Sequence, residues 1–198
     1  MDQSRGIKKK IERKKRKGQR KMRLKRAKKE QLAQVKQLYK TAFPKEERRP
    51  FFLLQLEMKK RVMEILSVEE DGFAGLLISS FYKDLVLIEF LAIDDRRRGE
   101  GLGSKVLALA KKRYKGRRVL LEIEIPDEDA DATDDKVRRK EFYARNGFLP
   151  SGVEVMFHGV PMMLLTMNGE EITFAEYKKL YQTTSGYFLT RLLKISQY

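Results

Sequence analysis

The sequence predicts an α/β fold built on a single core, and three observations carry that expectation. Short β-rich runs alternate with segments of helical period along the chain. Between 85 and 114 an apolar run passes through a glycine-rich bend directly into an amphipathic helix. With 198 residues, 41% of them hydrophobic, the chain has apolar surface for one full core, and one domain is the natural count.

Residues 1–21 offer Ile7 and Ile11 as their only apolar side chains after Met1. Such a segment cannot bury a face, so it reads as a disordered basic arm or at most a solvated helix. The first strand is expected at 22–26, MRLKR. Leu32, Val35, Leu38, Tyr39 and Phe43 recur at helical spacing and Pro44 ends that helix. After the polar KEERRP segment, 51–61 reads as a second short helix. The run 62–68 alternates as VMEILSV, Asp71-Gly72 supplies a hairpin turn, and 73–81 forms the returning strand. Lys83-Asp84 turns the chain into the run LVLIEFLAI, apolar enough to be buried on both faces despite Glu89. The helix beyond it places Leu102, Val106 and Leu109 on one side. Residues 118–125 form another strand, the polar DEDADATDD loop follows, and a helix ends at Asn146-Gly147 with a C-cap signal. Residues 153–157 and 162–167 flank His158-Gly159 as a hairpin. Thr173-x-x-Glu176 is a capping box for a helix through Tyr181, and 187–195 is expected to pack as one more helix. The order is β-α-α-β-β-β-α-β-α-β-β with C-terminal helices. It divides the chain into an arm at 1–21, a domain at 22–168 and a helical extension at 169–198.

Charge is distributed unevenly. The formal net charge is +16, but residues 1–29 hold sixteen Lys and Arg against Asp2 and Glu12, a net +14, which leaves +2 for the rest. The arm could bind RNA or another polyanion weakly through phosphates. It has no aromatic residue before Tyr39, so base stacking is not on offer. Other readings of the arm are a solubilising extension and a true start at Met22. With no cysteine and one histidine, thiolate metal sites, disulfides and cysteine nucleophiles are excluded, and no metal is expected. No apolar run approaches bilayer length and no secretory h-region follows the charged start, so a cytoplasmic protein with no membrane partner is expected.

The bend Arg98-Gly99-Glu100-Gly101-Leu102-Gly103-Ser104 reads as an anion-binding device. Glycines allow a tight turn with accessible amides, and a helix starting there points free N–H groups at a phosphate. The spacing fits neither a dinucleotide fingerprint nor a P-loop. Arg98-x-x-Gly101-x-Gly103, preceded by EFLAID, resembles the acyl-CoA loop of the GNAT superfamily of N-acetyltransferases. Phe142-Tyr143-Ala144-Arg145-Asn146-Gly147-Phe148 is similar to a second segment found in many members. The resemblance covers about residues 22–168 and implies a mixed central sheet of about six to seven strands with helices on both faces.

It also implies acetyl-CoA as co-substrate and an amine as acyl acceptor, with direct attack by the amine, since no cysteine or G-x-S-x-G elbow is present to carry an acyl group. By resemblance, residues 98–104 (Arg98, Gly99, Glu100, Gly101, Leu102, Gly103, Ser104) hold the pyrophosphate. The backbone of Leu91, Ala92 and Ile93 pairs with the pantetheine arm, Arg96 or Arg97 reaches the 3′-phosphate, and Asn146 belongs to the cofactor side. Glu89 is the candidate base and Tyr143 the candidate acid; a structural ion pair at Glu89 and a packing role at Tyr143 are the competing readings. Glu122 and Glu124 share a strand face and are rival bases or acceptor-binding groups. Six of the nine residues in 127–135 are acidic, which favours a cationic acceptor. A non-catalytic CoA-binding module and a basic-arm RNA- or ribosome-binding protein remain alternative functions. Oligomeric state is not readable.

Overall fold

The computed structural model describes residues 21–185 and 195–198. Its strands are β1 (Arg23–Arg26), β2 (Met63–Glu69), β3 (Phe73–Tyr82), β4 (Leu85–Ile93), β5 (Arg118–Glu124), β6 (Phe148–Phe157), β7 (Val160–Met167) and β8 (Ser196–Gln197). Its helices are α1 (Lys29–Ala42), α2 (Phe51–Lys59), α3 (Leu102–Arg113), α4 (Asp135–Arg145) and α5 (Phe174–Ser185). The eight strands form one open mixed sheet in the order β1-β2-β3-β4-β5-β7-β6-β8. Every neighbouring pair is antiparallel except β4 and β5.

Both faces are covered, and the strand alternation tells which helix covers which residues. Val86 and Ile88 of β4, and Val119, Leu121 and Ile123 of β5, pack with Leu102, Val106, Leu107 and Ala110 of α3. Phe142 and Tyr143 of α4 join that core. On the other face, Ile65, Leu76, Ile78, Phe90 and Ala92 pack under α1 and α2, and Leu85, Leu87, Leu120 and Leu164 pack under α5. The second face therefore holds two apolar cores side by side, with a seam between α1/α2 and α5.

Several local signals have the expected geometry. Asp71 and Gly72 both have positive φ at the β2–β3 turn, as do His158 and Gly159 at β6–β7. Thr173 and Glu176 close a reciprocal capping box at the start of α5, with N–H bonds of 3.0 and 3.2 Å. Two expectations are modified. The alternating run 62–68 forms a strand buried on both faces, because α3 covers the side that carries Glu64. Glu64 is held there by Arg113 (2.7 and 2.6 Å) and by the Tyr114 hydroxyl (2.6 Å). β6 begins at Phe148 rather than 153, since Pro150 and Gly152 make a bulge inside a continuing strand and not a turn before it. The helix expected at 187–195 falls, apart from Ile195, outside the described residues, as do residues 1–20 of the arm. Ile195 leads into β8, which pairs with β6. Among the described residues no helix is long and apolar enough to cross a membrane.

The Glu64 lock should be worth far more than an exposed pair. Glu64→Ala should lower stability by about 3 kcal/mol, because it strands a guanidinium and a buried hydroxyl. Glu141→Ala, which breaks the exposed Glu141–Arg145 pair of α4, should cost under about 0.5 kcal/mol. Urea denaturation of the two variants checks both values.

Candidate active site

The site begins where two strands stop pairing. β4 and β5 run in parallel register for three pairs, Leu85↔Arg118, Val86↔Val119 and Leu87↔Leu120. Beyond that, β5 stays bonded to β7 and β4 stays bonded to β3, so a wedge opens between them. The wedge-facing edge of β4 over 88–93 has no strand partner among the described residues. Unpaired backbone groups of this kind are a template for an extended ligand.

A β-bulge sits at the mouth of the wedge. Ser79 pairs with Ile88 and Ile78 with Phe90, which leaves Glu89 as the extra residue. The insertion reverses the alternation, so that Glu89 and Phe90 both reach the face of α1, α2 and α5. Glu89 thereby lands in the seam between the two cores, with its side chain 5% exposed. On β5, Glu122 lies two residues past the last parallel pair, as Glu89 does on β4, and on the same face. The wedge is thus flanked by two carboxylates.

Each carboxylate has its own partners. Glu89 accepts from the Ser80 hydroxyl and pairs with Arg49, whose other terminal nitrogen is held by both oxygens of Glu57 at 2.8 and 3.0 Å. Glu122 accepts from the hydroxyls of Tyr177 and Tyr181, two buried side chains of α5. Burial raises the carboxyl pKa of Glu122, although the tyrosine hydrogen bonds oppose it. Burial also pushes Glu57 up, to about 7, against the pull of Arg49. Arg49 is buried at a cost to its charge, yet the field of Glu89 and Glu57 holds its proton more tightly than usual. One guanidinium between two carboxylates cannot compensate both in full. Glu124, expected to share Glu122's environment, instead lies at the rim, 3.5 Å from Lys136 of α4.

The glycine bend has two kinds of glycine. Gly99 and Gly101 have φ of +83° and +69°, with nothing within 4 Å of where a Cβ would stand. Gly103 lies inside α3, and a Cβ there would come within 3.0 Å of the Phe142 ring of α4. Gly103 therefore admits α4 to close packing as well as opening the turn. α3 begins at Leu102 with no side-chain cap, so the amides of 102–104 have no intrahelical acceptor. The three arginines are engaged on carboxylates. Arg96 binds Asp94 at 2.7 Å and Arg98 binds Asp95 at 2.7 Å, while Arg97 bridges Glu70 (3.2 Å) and Glu100 (2.7 Å). Hydrogen bonds from Arg96 hold the Asp94 carboxyl down at about 2.

On the α3/α4 face, Tyr143 packs against Phe142 and Phe148 with ring centroids 5.2 and 6.0 Å away. Burial raises its pKa, with Arg139 opposing. The Asn146 side chain donates to the Phe142 carbonyl at 2.7 Å and so serves the end of α4. In the acidic loop, Asp134 caps α4, Asp131 binds Thr133 at 2.7 Å, and Asp127 lies 3.5 Å from Lys136. Sequence reasoning missed Arg49, Glu57, Tyr177 and Tyr181. Glu57 and the tyrosines carry a signal, being polar groups on the apolar faces of their helices; Arg49, in a run of charges, carries none.

Residues 32–148 match the acetyltransferase (GNAT) family, more than half of the chain. The chain belongs to that family. The protein YjbC of Bacillus subtilis (strain 168), itself provisionally described as an acetyltransferase, is 30% identical over 106 residues. That match takes in 54% of this chain and 52% of YjbC, so it spans about half the length of the relative. A GNAT-family protein of Bacteroides thetaiotaomicron, likewise provisionally described, superposes with a TM-score of 0.66 at 22% identity, covering 83% of this chain and 98% of its own. An aminoglycoside 6′-N-acetyltransferase complexed with coenzyme A superposes with a TM-score of 0.59 at 16% identity, covering 78% and 99%.

The Glu57 shift has a consequence for stability. Its folded pKa, about 7, lies above the ordinary 4.5, so the folded state binds the proton more tightly. The stability it contributes is complete below 4.5 and is lost as pH rises through about 7. Glu57→Gln should make that fall shallower, as read from urea midpoints across this range.

Proposed function

We propose that the protein is an acetyl-CoA-dependent N-acetyltransferase that acts on a cationic amine, with residues 22–168 as the catalytic domain and 169–198 as an extension that contributes α5 to the acceptor side. The observation that carries this reading is the wedge between β4 and β5, with a candidate base on one face and a candidate acid on the other. A structural neighbour complexed with coenzyme A supports the donor.

The residues present fit the donor. The amides of 102–104 and the open space at Gly99 and Gly101 suit a pyrophosphate, and the free edge of β4 at Leu91, Ala92 and Ile93 suits the amide-bearing pantetheine arm. Arg98 and Arg96 lie beside the turn for the remaining phosphate charge, on exposed side chains that can leave Asp95 and Asp94. Bound acetyl-CoA supplies the thioester carbonyl that the amine attacks. Glu89 takes a proton from the acceptor ammonium, directly or through water, freeing the lone pair that forms the N–C bond. An N–H of the open β4 edge faces the developing oxyanion. Tyr143, kept protonated by burial, gives its phenolic proton to the sulfur as the C–S bond breaks. The amine loses two protons in all; one goes to Glu89 and the other balances the one that Tyr143 gave up.

The field on the acceptor side of the wedge supports a cationic acceptor. Glu57, Glu89 and Glu122 outnumber Arg49 at the seam, and Glu47, whose pKa burial raises against the pull of Arg139, stands near Glu124. Such a field concentrates cations.

The experiment is a panel of cationic, neutral and anionic amines with acetyl-CoA, followed by thiol release. A cationic amine should be the best acceptor, and its KM should rise with ionic strength. Tyr143→Phe should lower kcat about 100-fold with the KM for acetyl-CoA unchanged. Gly101→Asp should abolish CoA-induced thermal stabilisation by placing a carboxylate in the phosphate cradle. Intact stabilisation in that variant, or an anionic best acceptor, would remove the respective half of the proposal.

A further inference from the structure

We propose that Arg49 is a positioning residue for Glu89: it fixes the direction of the carboxylate through a clamp that runs from the aromatic core to the mouth of the wedge. This rests on the reading of Glu89 as the base.

The clamp starts at Tyr39, a fully buried ring of α1. Its neighbours are Phe43 at 5.8 Å, Phe51 at 5.7 Å and Phe90 at 4.9 Å between centroids. The Tyr39 hydroxyl accepts from the Arg49 N–H at 2.9 Å and donates to the Arg49 carbonyl at 3.2 Å. One side chain thus holds both backbone groups of Arg49. Pro50 follows, which biases Arg49 toward extended backbone. From this fixed base the guanidinium reaches out as a planar fork, with Nη1 on Glu57 of α2 and Nη2 on Glu89 of β4.

Phe90 closes the loop of contacts. It is the residue after Glu89 and packs edge-on against the same Tyr39 ring that anchors Arg49. The backbone of the base and the backbone of its clamp are therefore tied to one rigid aromatic group. This matters because Glu89 is a bulge residue, without the ladder pairing that fixes its neighbours. A glutamate on a bulge needs its direction set by side chains. Ser80 takes one oxygen and Arg49 the other, and each oxygen keeps a lone pair for an amine proton or a bridging water.

A stabilising role alone explains the arrangement poorly. Side-chain exposures of 18%, 8% and 5% for Arg49, Glu57 and Glu89 place two carboxylates and one guanidinium out of water at the seam of two apolar cores. Buried ion pairs of this kind contribute little over apolar residues of the same volume. Burial pushes Glu57 up to about 7, which is the sign of a net cost. What the cluster does supply is geometry at Glu89, the wedge carboxylate of β4.

The test is a double-mutant cycle of Arg49→Met and Glu89→Gln, with kcat and both KM values from thiol release on the best amine acceptor and folding checked by thermal shift with CoA. Arg49→Met should lower kcat about as much as Glu89→Gln, about 100-fold, and leave the KM for acetyl-CoA within about twofold. The double variant should be no slower than Glu89→Gln alone, because the clamp acts only through Glu89. Arg49→Lys should recover part of kcat. Glu57→Gln, which loosens the clamp without touching Glu89, should lower kcat less, with its effect vanishing in the Glu89→Gln background; it serves if Arg49→Met does not fold. Losses that multiply in the double variants would overturn the positioning role while leaving Glu89 as base. Full kcat in Glu89→Gln would overturn both.

Discussion

Two parallel strands that part after three pairs set the terms for everything else in this protein. A strand inside a sheet has its backbone satisfied on both sides, and burial of unpaired N–H and C=O groups is costly. β4 leaves that state at Ile88 on one side, and the chain surrounds the resulting gap with groups that suit a polar, extended ligand. The end of β4 leads through the turn at 94–101 to the uncapped start of α3, so free amides of an edge and free amides of a helix terminus stand at the two ends of that turn. α4 closes onto α3 at Gly103 and brings Tyr143 to the same face. The bulge turns Glu89 to the other face. Had β4 and β5 stayed paired to Ile93 and Glu124, the same side chains would line an ordinary core.

The second constraint is the seam. α1 and α2 cover one part of the sheet and α5 another, and between them the chain places charges where packing alone would place leucines. Arg49, Glu57 and Glu89 meet from a loop, a helix and a bulge, and Glu122 with Tyr177 and Tyr181 continues the polar line from β5 to α5. Each group is satisfied by another in the line, which is what makes burial tolerable. α5 thus reaches the wedge through its tyrosine hydroxyls although it lies outside the matched family segment at 32–148.

The strand–glycine–helix unit was legible because each part depends on local chemistry: apolar run, glycines at the turn, helical period. The segment ending Phe148 was legible for the same reason, and so was the order of the elements up to β7. Gly103 was legible as a glycine but not as a packing glycine, since Phe142 approaches from nearly forty residues away along the chain and only tertiary structure brings it there. Glu122 and Glu124 share a strand face, as period two requires, yet one meets α5 and the other α4. Arg49 was invisible among the charges of KEERRP, and its role depends on Tyr39 ten residues earlier and on a bulge that no pattern in LVLIEFLAI announces. Pro150 and Gly152 interrupt the β pattern and hid the first half of β6. Turn chemistry, in short, is written locally, and partners across the sheet are not.

Hydrogen–deuterium exchange with and without CoA tests the wedge most directly, because it reads the backbone amides themselves. A ligand that adds itself to β4 as a strand should slow exchange in peptides covering 88–93 and also at the α3 start over 102–104, with β1 and β2 unchanged. Protection over 102–104 without any at 88–93, or protection confined to other strands, would contradict the parting of β4 and β5 as the binding groove.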